Sequence, residues 1–373
     1  MPSALAADRA RIAELEAQIL DLERSLAALQ LEKTVTQERI DSYRYPVLTL
    51  PAEITSEIFI HFLPIYPLCP PLSGPLSPTL LTRICCQWRY IALATPALWR
   101  AITVSGNVIP CDYISTILGR SGCCPISIQI GNEESLYTNA DDPGSAVLAA
   151  VISHRDRWES LTVCLSHSSF PPIGAGMPLL RRLDLAFSND LNEHLVFQEV
   201  PLLRTVILDV VASFNVVLPW TQLTSLTIHD ASLFNCVPTL QQVTNLIHCE
   251  LVLCDSEDED VLPDISLPYL ESLCWNDHDN NDPLPDCLHI FVVPALRSLK
   301  VTETLLQPDP INFLSSFVSK SGCKLQEVHI RGARTVSQQS YRSAFPSIRK
   351  FIFDDLHCAD HSDGSDASDA ETE

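Results

Sequence analysis

The chain has 373 residues, 46% of them apolar, and a net charge of −22, enough for two or three domains around a sizeable core. The acidic balance argues against nucleic-acid binding, which needs clustered Lys and Arg to neutralise phosphates. Its fourteen cysteines include no CxxC pair, and the opening MPSALAADRARIAELEAQ is charged within eight residues, unlike a secretory leader. Reduced thiols in cytoplasm or nucleus are therefore expected, and no apolar run is long enough to span a bilayer.

Taken in chain order, the first element is helical. Ile12, Leu15, Ile19, Leu22, Leu26 and Leu29 alternate in steps of three and four, a heptad seam that weakens at Lys33 and Thr36 before Ile40. The spacing predicts a helix over about residues 5–42, on the order of 55 Å long at ~1.5 Å per residue. So narrow a stripe leaves an isolated helix marginal, so residues 1–44 are expected to form a coiled coil that pairs with another helix, self-association included. A single amphipathic helix lying back on the next domain is the alternative.

Residues 45–103 read as a small three-helix domain. Pro51 suits a first helical turn and Glu53 the positive helix end. Ile54, Ile58, Phe59 and Phe62 are expected to share one apolar face. PIYPLCPPLSGPLSP then puts six prolines into fifteen residues, which forbids helix and predicts an extended loop. Ser77-Pro78 restarts a helix as cap and first residue, with Leu81, Ile84, Cys85, Trp88 and Ile91 on one side. Thr95-Pro96 opens a last short turn that returns Leu98 and Trp99 to that face.

From about residue 104 to 356 a unit recurs: apolar, two polar, apolar, polar, apolar. It appears as WESLTV, LRRLDL, LRTVIL, LTSLTI, LESLCW, LRSLKV, LQEVHI and IRKFIF, with a weaker copy, HCELVL, ending in Leu251 and Leu253. Central positions are 20 to 29 residues apart in the clear copies where they adjoin. That period around a short strand predicts a degenerate leucine-rich-repeat array, an irregular solenoid with a curved parallel sheet. The Asn that caps the bend in regular repeats is replaced by Ser166, Ser188, Val211, Ala231, His278, Thr304 and Ala333. The fold class expected overall is mixed α and α/β: long N-terminal helix, three-helix domain, repeats. A non-repetitive α/β domain is the competing architecture.

Charge is segmented along these repeats. Between Thr205 and Leu296 there are 14 Asp and Glu and no Lys or Arg, whereas Arg297–Phe353 carries 9 bases against 3 acids. Acids on the exposed strand positions would suit a protein target with a basic segment; acids confined to loops such as CDSEDEDVLPD would only aid solubility. The last stretch, 357–373, reads as a Ser/Asp tail with nothing to bury. There Ser368, Ser365 and Ser362 stand at steps of three ahead of Glu371, a spacing that an acidophilic kinase would modify from the C-terminal side inward. An unmodified tail is the alternative.

Leu50-Pro51 with Glu53 and Ile54, Ile84-Cys85 followed by Trp88-Arg89, and Leu98-Trp99 together resemble the F-box over about 50 residues. The proline-rich loop and ALATPALWRAI further resemble the F-box-like families of mushroom-forming fungi, in which a short coiled coil precedes the box and divergent leucine-rich repeats follow. Cys86 departs from the pattern, standing where most F-boxes have Arg or Lys, and the loop is longer than usual. The resemblance implies docking on a Skp-type adaptor of a cullin–RING ubiquitin ligase. Leu50 and Pro51 would enter the adaptor groove, Ile54, Ile58 and Ile84 would extend the contact, and Trp88, Leu98 and Trp99 would form the box's own core.

No enzyme motif is present: no GxSxG elbow, glycine-rich phosphate loop or HExxH, and no Cys/His set at zinc spacing. His248 beside Cys249, and His278 in WNDHDNNDPLPD, are expected in solvated turns rather than around a metal. No cofactor, membrane or nucleic-acid partner is expected. Two functions stay open: a non-enzymatic substrate receptor of the ubiquitin ligase, and a protein-binding repeat scaffold that does not engage the ligase.

Overall fold

A 41-residue helix, α1 (Pro2–Ser42), begins the chain. The computed structural model describes residues 2–43, 45–104, 110–131, 145–165, 176–188, 194–253, 262–277, 287–332 and 334–354. The chain divides into two compact units, Met1–Ile58 and Phe59–Glu373.

In the first unit α1 is built from good helix formers such as Ala, Leu, Glu, Gln and Arg, and its seam from Ile12 to Leu29 is exposed throughout. A 3-10 turn over Pro46–Thr49 leads to Pro51, whose carbonyl accepts from the Thr55 N–H at 3.0 Å, and helix α2 (Ala52–Phe62) follows. The unit boundary falls within α2. Its expected single apolar face is split. Thr55 and Phe59, four apart, are buried, while Ile54 and Ile58, one residue earlier on the wheel, are exposed.

In the second unit the remaining helical run is broken, contrary to the expectation of one continuous stretch. Ser77 caps α3 (Pro78–Leu81), its hydroxyl accepting from the Thr79 N–H at 3.2 Å. After a turn, α4 (Cys86–Leu93) restarts with the Cys85 Sγ accepting from the Trp88 N–H at 3.4 Å. Ile84 lies in that break and is exposed, so it does not share the face of Leu81 and Ile91, which are buried. A 3-10 turn, Pro96–Trp99, buries Leu98 and Trp99.

Strands then follow: β1 (Ala101–Val104), β2 (Ile126–Ile130), β3 (Trp158–Leu165), β4 (Arg182–Phe187), β5 (Leu195–Val196), β6 (Thr205–Leu208), β7 (Val216–Val217) and β8 (Ser225–Ala231). They continue with β9 (His248–Leu253), β10 (Ile265–Ser266), β11 (Ser272–Asp277), β12 (Phe291–Val292), β13 (Ser298–Thr302), β14 (Glu327–Arg331) and β15 (Lys350–Asp354). Among the described residues eleven of these form one parallel sheet in the order β1-β2-β3-β4-β6-β8-β9-β11-β13-β14-β15. Two-residue ladders β5–β7 and β10–β12 tie the return segments together. Helices α5 (Cys111–Arg120), α6 (Ser145–Ile152), α7 (Val210–Asn215), α8 (Leu233–Leu240), α9 (Pro310–Ser321) and α10 (Gln338–Ala344) lie in the connections. The protein is thus mixed α/β, with a long N-terminal helix and a large parallel sheet.

The recurring apolar positions stack across the sheet. Leu161 pairs with Leu183, Leu183 with Val206, Val206 with Leu226 and Leu226 with Cys249. The row continues through Leu273, Leu299, Val328 and Phe351. Every member up to Val328 is buried, as alternation on a strand with one covered face requires. One part of the expectation is corrected. The row extends upstream through Ile128 to Ile102, so β1 and β2 precede the first recognised copy. In the weak copy the row passes through Cys249, with Leu246 and Leu251 also buried.

Two acids close turns after strands of the sheet. Asp209, just after β6, accepts from the N–H groups of Ala212 and Phe187, both at 2.6 Å, capping α7 and closing the end of β4. Buried Glu303, after β13, accepts from the N–H of Thr335 at 2.5 Å and of Val336 at 3.1 Å.

Three indoles test what a buried polar atom is worth. Trp99 Nε1 donates to the Ala92 carbonyl at 2.9 Å, whereas Trp275 Nε1 is buried with no partner among the described residues. Trp158 shares that lack. Trp99→Phe is expected to cost about 1 kcal/mol more than Trp275→Phe, the extra being the lost hydrogen bond at similar lost volume. Urea midpoints of the two variants measure the difference; equal losses would show that the Trp99 bond adds nothing.

Candidate functional site

Two surfaces stand out, one in each unit. In the first, Leu50 is half-buried and Pro51 exposed, and α2 begins directly behind them. Ile54 and Ile58, four apart and so one above the other, are 51% and 48% exposed. Val47 adds to the exposed apolar residues of this unit. Leaving two isoleucines in water on an eleven-residue helix gives up hydrophobic stabilisation that the same helix takes at Phe59.

The other residues read as one module with these are in the second unit. Ile84 is 53% exposed in the turn before α4. Trp88 is partly buried, its ring edge-on to Phe59 with centroids 4.9 Å apart. Leu98 and Trp99 are 1% exposed, and the Arg120 guanidinium sits 4.7 Å above the Trp99 ring. Ser362, Ser365 and Ser368 lie outside the described residues, as do the tail 357–373, His278 and the acidic run 255–260.

The second surface is a cleft of about 730 Å³ on the uncovered face of the sheet. Its floor is the outward row of β2 to β9, and Pro67, Leu68 and Cys69 of the proline-rich loop form one wall. The loop is anchored rather than merely extended. Ser127 Oγ donates to the Pro67 carbonyl at 2.6 Å, and Tyr66 donates to Glu159 Oε2 at 2.9 Å. Arg100 stacks 3.9 Å over the Tyr66 ring. Burial first, and then Glu159, pushes the Tyr66 phenol well above the ordinary tyrosine range, so it stays a donor.

Ser160 and Thr162 of β3, Arg182 and Asp184 of β4, and Asp209 line the floor. Burial raises the Asp209 pKa despite the two N–H groups it accepts from. Beside them are His229 and Asp230 of β8, where the register shifts by one residue. Asp230 adopts φ +55°, and this bulge turns both neighbours toward the cleft instead of one up and one down.

Further along the same face stand Glu250, 3.6 Å from Cys274 Sγ, and then Lys300. Burial, and next the Glu250 charge, pushes the Cys274 thiol up to about 11, so it remains protonated at neutral pH. Beyond it Arg331 donates to Asn276 Oδ1 at 3.1 Å and Lys350 reaches Glu327 Oε1 at 2.8 Å. Along this face Asp184, Asp209, Asp230 and Glu250 stand with Arg182 at β4 to β9, and Lys300, Arg331 and Lys350 stand with Glu327 and Asp354 at β13 to β15. Sequence reasoning missed the cleft. LRRLDL and LTIHDA did display Arg182, Asp184 and His229 at polar positions, but the loop wall and the Asp230 bulge left no local signal.

His248 and Cys249 are adjacent on β9 and so point to opposite faces, which prevents them from sharing a ligand. Eleven cysteines among the described residues are free thiols. Among the described residues no helix is long and apolar enough to cross a membrane. A scan against models of known protein families finds no match, and no curated protein matches the chain.

Proposed function

We propose that this chain is the substrate-recognition subunit of a Skp–cullin–F-box type ubiquitin ligase. In this reading residues 45–103 are an F-box that binds the Skp-type adaptor, and the parallel sheet is a degenerate leucine-rich-repeat array that holds a protein target. The observation that carries the proposal is the exposure of Ile54 and Ile58 directly behind Leu50-Pro51, the positions that the F-box resemblance assigns to the adaptor. Burying Leu50, Ile54 and Ile58 is worth roughly 1.5–3 kcal/mol each, together about the size of the cost of association. Further residues must add contact area. Asp184, Asp209, Asp230 and Glu250 on the outward row favour a target with a basic segment.

Pull-down with purified Skp-type adaptor tests the reading. Leu50→Ala/Pro51→Ala is expected to weaken capture at least about tenfold, and Ile54→Asp/Ile58→Asp to abolish it. Because the two isoleucines are exposed, the second variant should keep the wild-type circular dichroism spectrum. Adaptor capture indifferent to both variants, or no capture by the wild type, would leave the repeat scaffold as the function.

A further inference from the structure

We propose that α1 pairs with α1 of a second copy of this chain in a parallel, in-register, two-stranded coiled coil. Its seam has Ile12, Ile19 and Leu26 at the a positions and Leu15, Leu22 and Leu29 at the d positions. All six are exposed, from 41% at Leu15 to 69% at Leu22, on a helix continuous from Pro2 to Ser42. Three heptads of apolar side chains are thus aligned on one rigid element and left in water. Of the other exposed apolar residues of α1, Leu5 and Ile40 prolong the a positions, whereas Leu20, Leu31 and Val35 fall at b, f and c and form no stripe.

The identity of the seam residues selects the partner. Ile12 and Ile19, two of the three apolar a positions, are β-branched and every apolar d position is Leu, a pattern that fits two parallel strands better than three or four. Lys33 continues the a positions; in a two-stranded coil its ammonium reaches water along the flank, whereas a larger bundle would enclose it. The flanks select orientation. In a parallel pair each g position meets the following e position of the other copy, which joins Arg11 to Glu16 twice. The next pairs, Gln18–Glu23, Ser25–Gln30 and Glu32–Gln37, hold no like charges. An antiparallel pair with the same overlap would set Glu16 of each copy against Glu23 of the other. In the single chain Arg11 reaches Glu14 of its own helix at 2.7 Å, an exposed contact that it can exchange for Glu16 of the second copy.

Light scattering on the 373-residue chain alone is the test, so its outcome is independent of adaptor binding. The wild type is expected to show twice the mass of one chain at roughly tens of micromolar. Leu15→Lys/Leu22→Lys should return it to one chain while the circular dichroism of the sheet persists, and Leu20→Lys/Leu31→Lys should leave it doubled. Arg11→Glu should raise the dissociation constant about tenfold, and Arg11→Glu/Glu16→Arg should restore it. A one-chain or three-chain wild type overturns the proposal, as does a dimer that survives the paired lysines or a charge swap that fails to restore it.

Discussion

Replacing Glu303 by Ala is expected to destabilise the second unit by about 3–5 kcal/mol. The carboxylate is fully buried and gathers four donors: the N–H and hydroxyl of Thr335 at 2.5 and 2.6 Å, the N–H of Val336 at 3.1 Å and the phenol of Tyr341 at 3.1 Å. It is the point at which the chain leaving β14 is fastened to the chain leaving β13. Alanine removes every acceptor at once, and Val336 N–H and the buried Tyr341 hydroxyl lose a charged partner. Glu303→Gln keeps one carbonyl acceptor and is expected to cost about half as much. Tyr341→Phe removes one donor and should cost about 1–3 kcal/mol.

The same contact has a pH signature. Burial, followed by the Glu303 charge, holds the Tyr341 phenol far above the ordinary tyrosine range. An acid whose folded pKa is raised binds its proton more tightly in the native state. Its contribution is therefore full at neutral pH and is lost as pH rises past the unfolded tyrosine pKa of about 10. Urea unfolding from pH 8 to 11 should show this decline in the wild type and a shallower one in Tyr341→Phe. Equal stability of the Ala and Gln variants at pH 7 would refute the fastening role.

Gly131→Ala is expected to cost about 2–5 kcal/mol, from the left-handed backbone and from overpacking together. Gly131 ends β2 at φ +72°, and an added Cβ would lie 1.9 Å from the Cys164 carbonyl oxygen and 3.0 Å from its carbon. Neither side can yield. The Gly131 N–H is bound to the Val104 carbonyl at 2.8 Å, and Cys164 is paired to Ala186 in β4. Gly74 is the control: its φ is +85°, but nothing lies within 4 Å of an added Cβ. Gly74→Ala should therefore pay only the conformational term, about 1–2 kcal/mol. Denaturation midpoints of the two variants differ accordingly; indistinguishable midpoints would mean that β2 and β3 do not approach so closely at this point.

Much of the architecture was legible because its signals are local. The three- and four-residue steps from Ile12 to Leu29 mark a helix, Ser77-Pro78 marks a helix start, and the spacing of apolar residues in LRRLDL or LTSLTI marks a strand with one covered face. Each depends only on the 3.6- or 2-residue period of the backbone, so a few neighbouring residues suffice. The stacking of successive copies follows from the same rule, since identical patterns bury identical sides.

What only tertiary contact decided is what depends on residues far away in the chain. AITV and ISIQI lack the leading leucine of the later copies and become β1 and β2 because β2 docks beside β3 and β1 beside β2. Ile54 and Phe59 are both apolar, and nothing local says that one is covered and the other open. The acids that close the bends are Asp209 and Glu303, whose partners are fixed by distance in space: Phe187 is 22 and Tyr341 is 38 residues away. The cleft, too, exists because a proline-rich loop is fastened to Ser127 and Glu159, 60 and 93 residues beyond the groups they hold. A short-range pattern specifies which side of an element is apolar; which sides are finally covered is set by the free energy of the whole packed chain.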